Sequence, residues 1–294
     1  MSRLAHFRAR TLAALALTGS LCIAPAVMPA SDGATATYDA CGAILVKQSG
    51  ENWSCSFVDN FSGTRLDTTK WVVQDSSVSG FMMNNACFDA AQNHALGGGF
   101  LKLSVTRKPA FNCDLPYGTR GTQYMGGGIS TYGKFSQAYG RFEVRMKVPN
   151  YDGPGLHGGF WMNPQDRDYG IWPGSGEIDV AEWLSGTRDK AYPSLHYTGS
   201  TGLLDTGWDC SIGSADVFHK YAVVWSPETI DFYYDGSLCF SRTWQPTDLA
   251  PPAPFDKPFT LALVAANGAG LNNAPTSDTP FPSTFTIDYV KAWS

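Results

Sequence analysis

Three carboxylates stand within six residues in Glu177-Ile178-Asp179-Val180-Ala181-Glu182, directly after Trp172-Pro173-Gly174-Ser175-Gly176. Carboxylates packed this closely repel one another, so ionising one raises the proton affinity of its neighbours. Such a cluster separates acids into roles. One stays ionised and can attack or stabilise an electron-poor carbon, while another keeps a proton and can release a leaving oxygen. The competing readings are a metal cluster and a solvated acidic strand edge.

The spacing decides what must carry these acids. On a helix, Glu177 and Glu182 would turn to different faces. Gly and β-branched neighbours also disfavour a helix here. On a strand, Glu177 and Asp179 share one face, while Ile178 and Val180 point the other way into a core. Glu182 then has the wrong parity. One extra residue, a β-bulge near Val180-Ala181, returns it to the face of the other two. The two glutamate Cα atoms would lie about 13 Å apart on a flat strand.

Aromatic residues surround the acids. Trp172 and Trp183 bracket them, and Phe160-Trp161-Met162 lies upstream. A sugar ring has an apolar C–H face and a polar rim, so indole platforms beside carboxylates suit it. Hard-cation sites prefer carbonyls and waters to flanking indoles. Trp161, Trp172 and Trp183 are therefore candidate substrate platforms, with core packing as the alternative for each. His196 is a further candidate, with a structural role as its alternative. Retaining glycosidases hold nucleophile and acid about 5–5.5 Å apart, which long Glu side chains leaning inward on a concave sheet can reach.

Glu-Ile-Asp-x-x-Glu preceded by Trp-Pro-x-Ser-Gly resembles the bulge-containing, laminarinase-like branch of glycoside hydrolase family 16. Four further segments resemble family strands in the right order: Phe57–Gly63 followed by Lys70-Trp71, Tyr139–Arg145, Leu195-His196-Tyr197 and Ile287–Val290. The resemblance implies that Glu177 is the nucleophile, that Asp179 holds and tunes it, and that Glu182 is the acid/base. It also implies retention of configuration, an endo-acting cleft and a β-1,3 or mixed β-1,3/1,4 glucan substrate. Two departures stand out. Asn60 occupies a position where family members often carry Glu near a calcium site, and His157 stands where many laminarinases have Trp. No cofactor is required, and a structural calcium ion involving Asp288 is left open. A galactan hydrolase or transglycosylase on the same site is the alternative enzyme reading. A lectin-like glucan-binding protein is the alternative from another class.

The N-terminus reads as a secretory signal. Arg3, Arg8 and Arg10 precede a short apolar run, and Ala34-Thr35-Ala36 offers a cleavage site. An uncleaved anchor is the alternative. Removing residues 1–36 takes Cys22 with it and leaves six cysteines, Cys41, Cys55, Cys87, Cys113, Cys210 and Cys239. An even count in an exported chain argues for disulfides, and pairing of sequence neighbours suggests 41–55, 87–113 and 210–239. Losing three Arg and Asp32 moves the formal charge from −5 to −7. Such an acidic chain, without Lys/Arg clusters, is a poor nucleic-acid binder and repels strongly anionic polymers. A secreted monomer, free of the membrane after cleavage, is expected.

Residues 37–294 suit one large domain. Alternating runs such as Leu101–Val105, Arg141–Val148 and Ile230–Tyr234 read as half-buried strands. Asp235-Gly236 reads as a hairpin turn, and Pro246–Pro258 as a surface loop. The expected fold is all-β, a two-sheet antiparallel β-sandwich of jelly-roll type with a concave substrate cleft.

Overall fold

The structure, a computed structural model, describes residues 37–270 and 272–294. The expected signal segment, residues 1–36, lies outside the described residues.

Among the described residues, seventeen strands follow one another: β1 (Tyr38–Asp39), β2 (Gly42–Ala43), β3 (Cys55–Asp59), β4 (Val72–Val73), β5 (Ala86–Phe88), β6 (His94–Gly97), β7 (Phe100–Leu115), β8 (Gly118–Ser130), β9 (Gly140–Lys147), β10 (Leu156–Pro164), β11 (Glu177–Leu184), β12 (Tyr192–His196), β13 (His219–Trp225), β14 (Ile230–Tyr234), β15 (Ser237–Arg242), β16 (Phe259–Asn267) and β17 (Ser283–Trp293). A short helical turn, Ser76–Ser79, is capped by the Asp75 side chain and closed by Gly80 in the left-handed region. Among the described residues, no helix is long and apolar enough to cross a membrane.

The strands form two layers of a curved, all-β jelly roll. One layer runs β7-β17-β9-β13-β14-β15, and the other runs β12-β11-β10-β16-β8. The long β7–β8 hairpin joins them, because β7 pairs with β17 through Leu101–Val105 and with β8 from Thr106 onward. Period-2 alternation builds the core between the layers. Phe142, Val144 and Met146 of β9 point inward against Phe160, Met162, Ile178 and Val180 of the other layer. On the outward face of β9, Glu143 is held by Arg141 and Tyr289, and Arg145 pairs with Asp288 at 2.5 Å. These acids are therefore engaged on the layer opposite the catalytic candidates.

Strand β16 is buried at all nine positions. Leu261, Leu263 and Ala265 enter the main core, while Ala262, Val264 and Ala266 join Ala86, Phe88 and Trp161 in a second apolar cluster on the other face. A strand covered on both faces loses its alternation, which is why it reads as a continuous apolar run.

The expected hairpin is present, with Asp235 and Gly236 both at positive φ between β14 and β15. Two details differ from expectation. β5 pairs with β8 in parallel, where Cys87 is tied to Cys113 of β7. The Pro-rich loop between β15 and β16 is not wholly superficial. It drives Phe255 into the core, where Trp225 Nε1 donates to the Phe255 carbonyl.

The three disulfides among the described residues join sequence neighbours: Cys41–Cys55, Cys87–Cys113 and Cys210–Cys239, with Cα separations of 5.6, 5.7 and 5.4 Å. The last ties the long segment after β12 to β15, and so anchors a loop beside the acidic strand.

Candidate active site

Strand β11 lies between β10 and β12, and both partners record the same irregularity. Trp161 opposes Asp179 while Phe160 opposes Ala181, so β10 skips Val180. On the other side, the register with β12 shifts between Asp179 and Glu182. Val180 and Ala181 together take the place of one residue, and both are fully buried. This is the expected bulge, and it brings Glu177, Asp179 and Glu182 to one face, away from the core.

Two neighbours make room for the bulge. A Cβ on Gly159 would lie 2.1 Å from the Ala181 carbonyl oxygen, so β10 can approach the distorted strand only with glycine there. A bulge also leaves a backbone group without its ladder partner. Here Tyr234 of the opposite layer donates its buried hydroxyl to the Val180 carbonyl at 2.9 Å. Tyr234→Phe removes that donor and leaves a buried carbonyl unpaired. The expected cost is about 1–3 kcal/mol, read as a lower Tm, and the acidic face is untouched because the hydroxyl lies on the core side of the strand.

Each acid has its own partners. Glu177 accepts from Trp172 Nε1 at 2.6 Å and from Asn163 Nδ2 at 3.0 Å. Asp179 is buried and accepts from His196 Nε2 at 2.8 Å. Glu182 accepts from His157 Nε2 at 2.6 Å. The neutral tautomer of His157 is set by Asn84. The Asn84 amide donates both to the Asn267 carbonyl and to His157 Nδ1, which leaves the imidazole proton on Nε2.

The proton affinities separate accordingly. Burial, then the charge of Glu177, pushes the Asp179 carboxyl up to about 8, while its hydrogen bond with His196 opposes the rise. His196 is pushed up to about 9. Burial opposes its charge, but the hydrogen bond and charge of Asp179 outweigh that. Glu182 departs from the sequence expectation of a raised acid. Burial would raise it, yet the hydrogen bond from His157 holds it below the usual glutamate value. The elevated proton affinity in this cluster therefore sits on the Asp179–His196 pair.

Glu177, Asp179 and His196 offer ligand atoms within 4.8 Å of one another. Such a set can hold a cation when the histidine is neutral. The carboxylates around His196 favour its charged form, which donates rather than ligates.

The tryptophans divide. Trp172 is 63% exposed beside Glu177, with its ring 5.7 Å from that of His196. Trp161 faces the same side as Asp179 but is only 7% exposed, packed among Phe88, Ala262 and Val264. Trp183 must be corrected as a substrate platform. It is 1% exposed and packs edge-on against Phe285 in the main core. The reason is parity: once the bulge turns Glu182 outward, the next residue must point inward.

Sequence reading missed the second rank of residues. Asn163 lies two positions after Trp161, so its face was deducible. His157 was visible only as a departure from a pattern. Asn84 comes from the loop before β5 and had no signal at all.

Comparison with known proteins agrees with this geometry. The profile of the glycosyl hydrolases family 16 matches residues 82–291. The chain is 31% identical over 259 residues to glucan endo-1,3-beta-glucosidase A1 of Niallia circulans, covering 80% of this chain but 37% of that protein. It is 30% identical over 258 residues to the beta-glucanase of Rhodothermus marinus, covering 82% of this chain and 85% of that protein. Among solved structures, a laminarinase from Flavobacterium sp. UMI-01 superposes with a TM-score of 0.69 at 28% identity, over 82% of this chain and 100% of that one. The bulged acidic strand, the fold and these matches agree: the chain belongs to glycoside hydrolase family 16.

Proposed function

We propose that the protein is an endo-acting, retaining β-glucanase that cleaves β-1,3 or mixed β-1,3/1,4 glucan by double displacement. The observation that carries this reading is the bulge at Val180, which gathers Glu177, Asp179 and Glu182 on one face beside the exposed Trp172. A polymer lying across that face meets Trp172 and the acids together. Glu177, aligned by Trp172 and Asn163, attacks the anomeric carbon and forms a glycosyl-enzyme. Glu182 gives its proton to the leaving glycosidic oxygen, then takes one from the incoming water. Asp179, sharing a proton with His196, reduces the repulsion that a third unpaired carboxylate would add beside Glu177. Two inversions at one carbon give net retention.

The same reading places the enzyme outside the cell as a monomer, after loss of residues 1–36, with no cofactor. The three disulfides among the described residues fit an oxidising compartment. The test is incubation of the mature protein with laminarin, mixed-linkage β-glucan, agarose and xyloglucan, with measurement of reducing ends and of the first-formed anomer by NMR. β-Anomeric oligosaccharides from either of the first two support the reading. Cleavage of agarose or xyloglucan alone keeps the mechanism and replaces the substrate. Binding without cleavage of any of the four overturns the enzyme reading in favour of a lectin-like protein.

A further inference from the structure

His157 and Asn84 have no part in the three-carboxylate mechanism, yet they end on it. Asn267 is buried at the end of β16; its backbone carbonyl accepts from the Asn84 amide, and its side-chain amide donates back to the Asn84 carbonyl. This two-way contact orients Asn84, Asn84 orients His157, and His157 reaches Glu182 Oε1. The His157 side chain is only 13% exposed, so water competes poorly for its ring.

We propose that His157 is a positioning residue for Glu182, held by Asn84 as an Nε2–H donor that fixes the acid/base carboxyl and stabilises its carboxylate form by hydrogen bonding. The proposal rests on the assignment of Glu182 as acid/base. Its consequence is chemical. A donor on the carboxylate favours release of the proton to the leaving oxygen, and it holds the carboxylate in place for the second step. It also shortens the pH range over which Glu182 still carries its proton, so the alkaline limb of the reaction falls early. The other titratable groups around Glu182 are Glu177 and Asp179 on its own strand and His196 and Tyr192 on β12, with the Tyr234 hydroxyl of β14 on the core side of the strand. His196 favours the carboxylate as well, but His157 donates directly.

The test compares His157→Leu, which has no donor, with His157→Gln, which keeps an N–H. The alkaline limb of kcat/KM on glucan is expected to move up by about one pH unit in His157→Leu and to return toward wild type in His157→Gln. A 2,4-dinitrophenyl β-glycoside needs no acid to leave. Any alkaline limb it shows comes from Asp179 or His196 and stays where it is in both variants. An unmoved glucan limb in His157→Leu overturns the proposal. Two readouts do not need turnover. In wild-type protein, histidine ¹⁵N spectra are expected to show His157 as the Nε2–H tautomer, and a protonated Nδ1 on neutral His157 overturns the proposal even where His157→Leu does not fold. The ¹³C titration of the Glu182 carboxyl, assigned with Glu182→Gln, is expected to lie below the usual glutamate range and to rise in His157→Leu. If wild type cleaves no glucan while these spectra come out as expected, the functional reading fails and the His157–Glu182 contact stands.

Discussion

Replacing Glu177 with Gln is expected to lower kcat on β-glucan about 10⁴-fold, roughly 5 kcal/mol of lost transition-state stabilisation, while glucan affinity stays within a few-fold. In the proposed mechanism this carboxylate bonds to the anomeric carbon, and an amide is a far weaker nucleophile. The shape barely changes, so the cleft still binds. The hydrogen bonds change in a defined way: the Gln oxygen can keep one of the donors Trp172 and Asn163, and its NH₂ faces the other. Some loosening of Trp172 is therefore expected, visible as a small rise in Kd. A sharper assignment comes from Glu177→Gly with added azide and an activated aryl β-glycoside. Azide entering the emptied space attacks from the face Glu177 used, which inverts the centre and yields an α-glycosyl azide. A β-azide from that variant, or a Glu177→Gln enzyme within tenfold of wild type, would remove Glu177 from the nucleophile role.

What could be read in the chain depended on how local the cause was. The bulge was legible because it follows from parity alone. Glu177 and Asp179 set a face, Glu182 breaks it, and one extra residue restores it. The alternation of β9 and β14 was legible for the same reason. Groups brought in by distant segments were not. Tyr234 satisfies the bulge from 54 residues away, and Asn84 approaches His157 across 73. Neither carries a local pattern that marks it out. The proton affinities were half legible. A crowd of carboxylates implied that one would keep its proton, but the deciding factors were burial of Asp179 and the donor on Glu182, and both are tertiary.

Trp172 and Trp183 bracket the acids symmetrically in sequence, and their replacement by Ala is expected to fail in opposite ways. Trp183 fills the main core against Phe285, so Trp183→Ala opens a cavity costing about 3–5 kcal/mol. Its indole N–H has no hydrogen-bond partner among the described residues, so no polar contact of the ring is lost to add to that figure. The readout is a large drop in Tm or in urea midpoint. The fraction that remains folded at low temperature should keep a near-normal KM. Trp172 stands 63% exposed, so Trp172→Ala should leave Tm nearly unchanged. It removes the proposed platform for the sugar face and a donor to Glu177 in one step. Stacking on an exposed indole and a charge-assisted hydrogen bond together suggest a loss of about 10²-fold in kcat/KM. The two effects divide further: the lost platform raises KM, while the lost donor lowers kcat through a misaligned Glu177. Phe at position 172 separates them, since it restores the apolar face without the N–H. Recovery of KM but not of kcat in Trp172→Phe is the expected result. If Trp172→Ala instead unfolds the protein, or Trp183→Ala leaves Tm intact and raises KM, the bulge does not orient this strand as described. The acid/base assignment of Glu182 would then fall with it, because one parity places both residues.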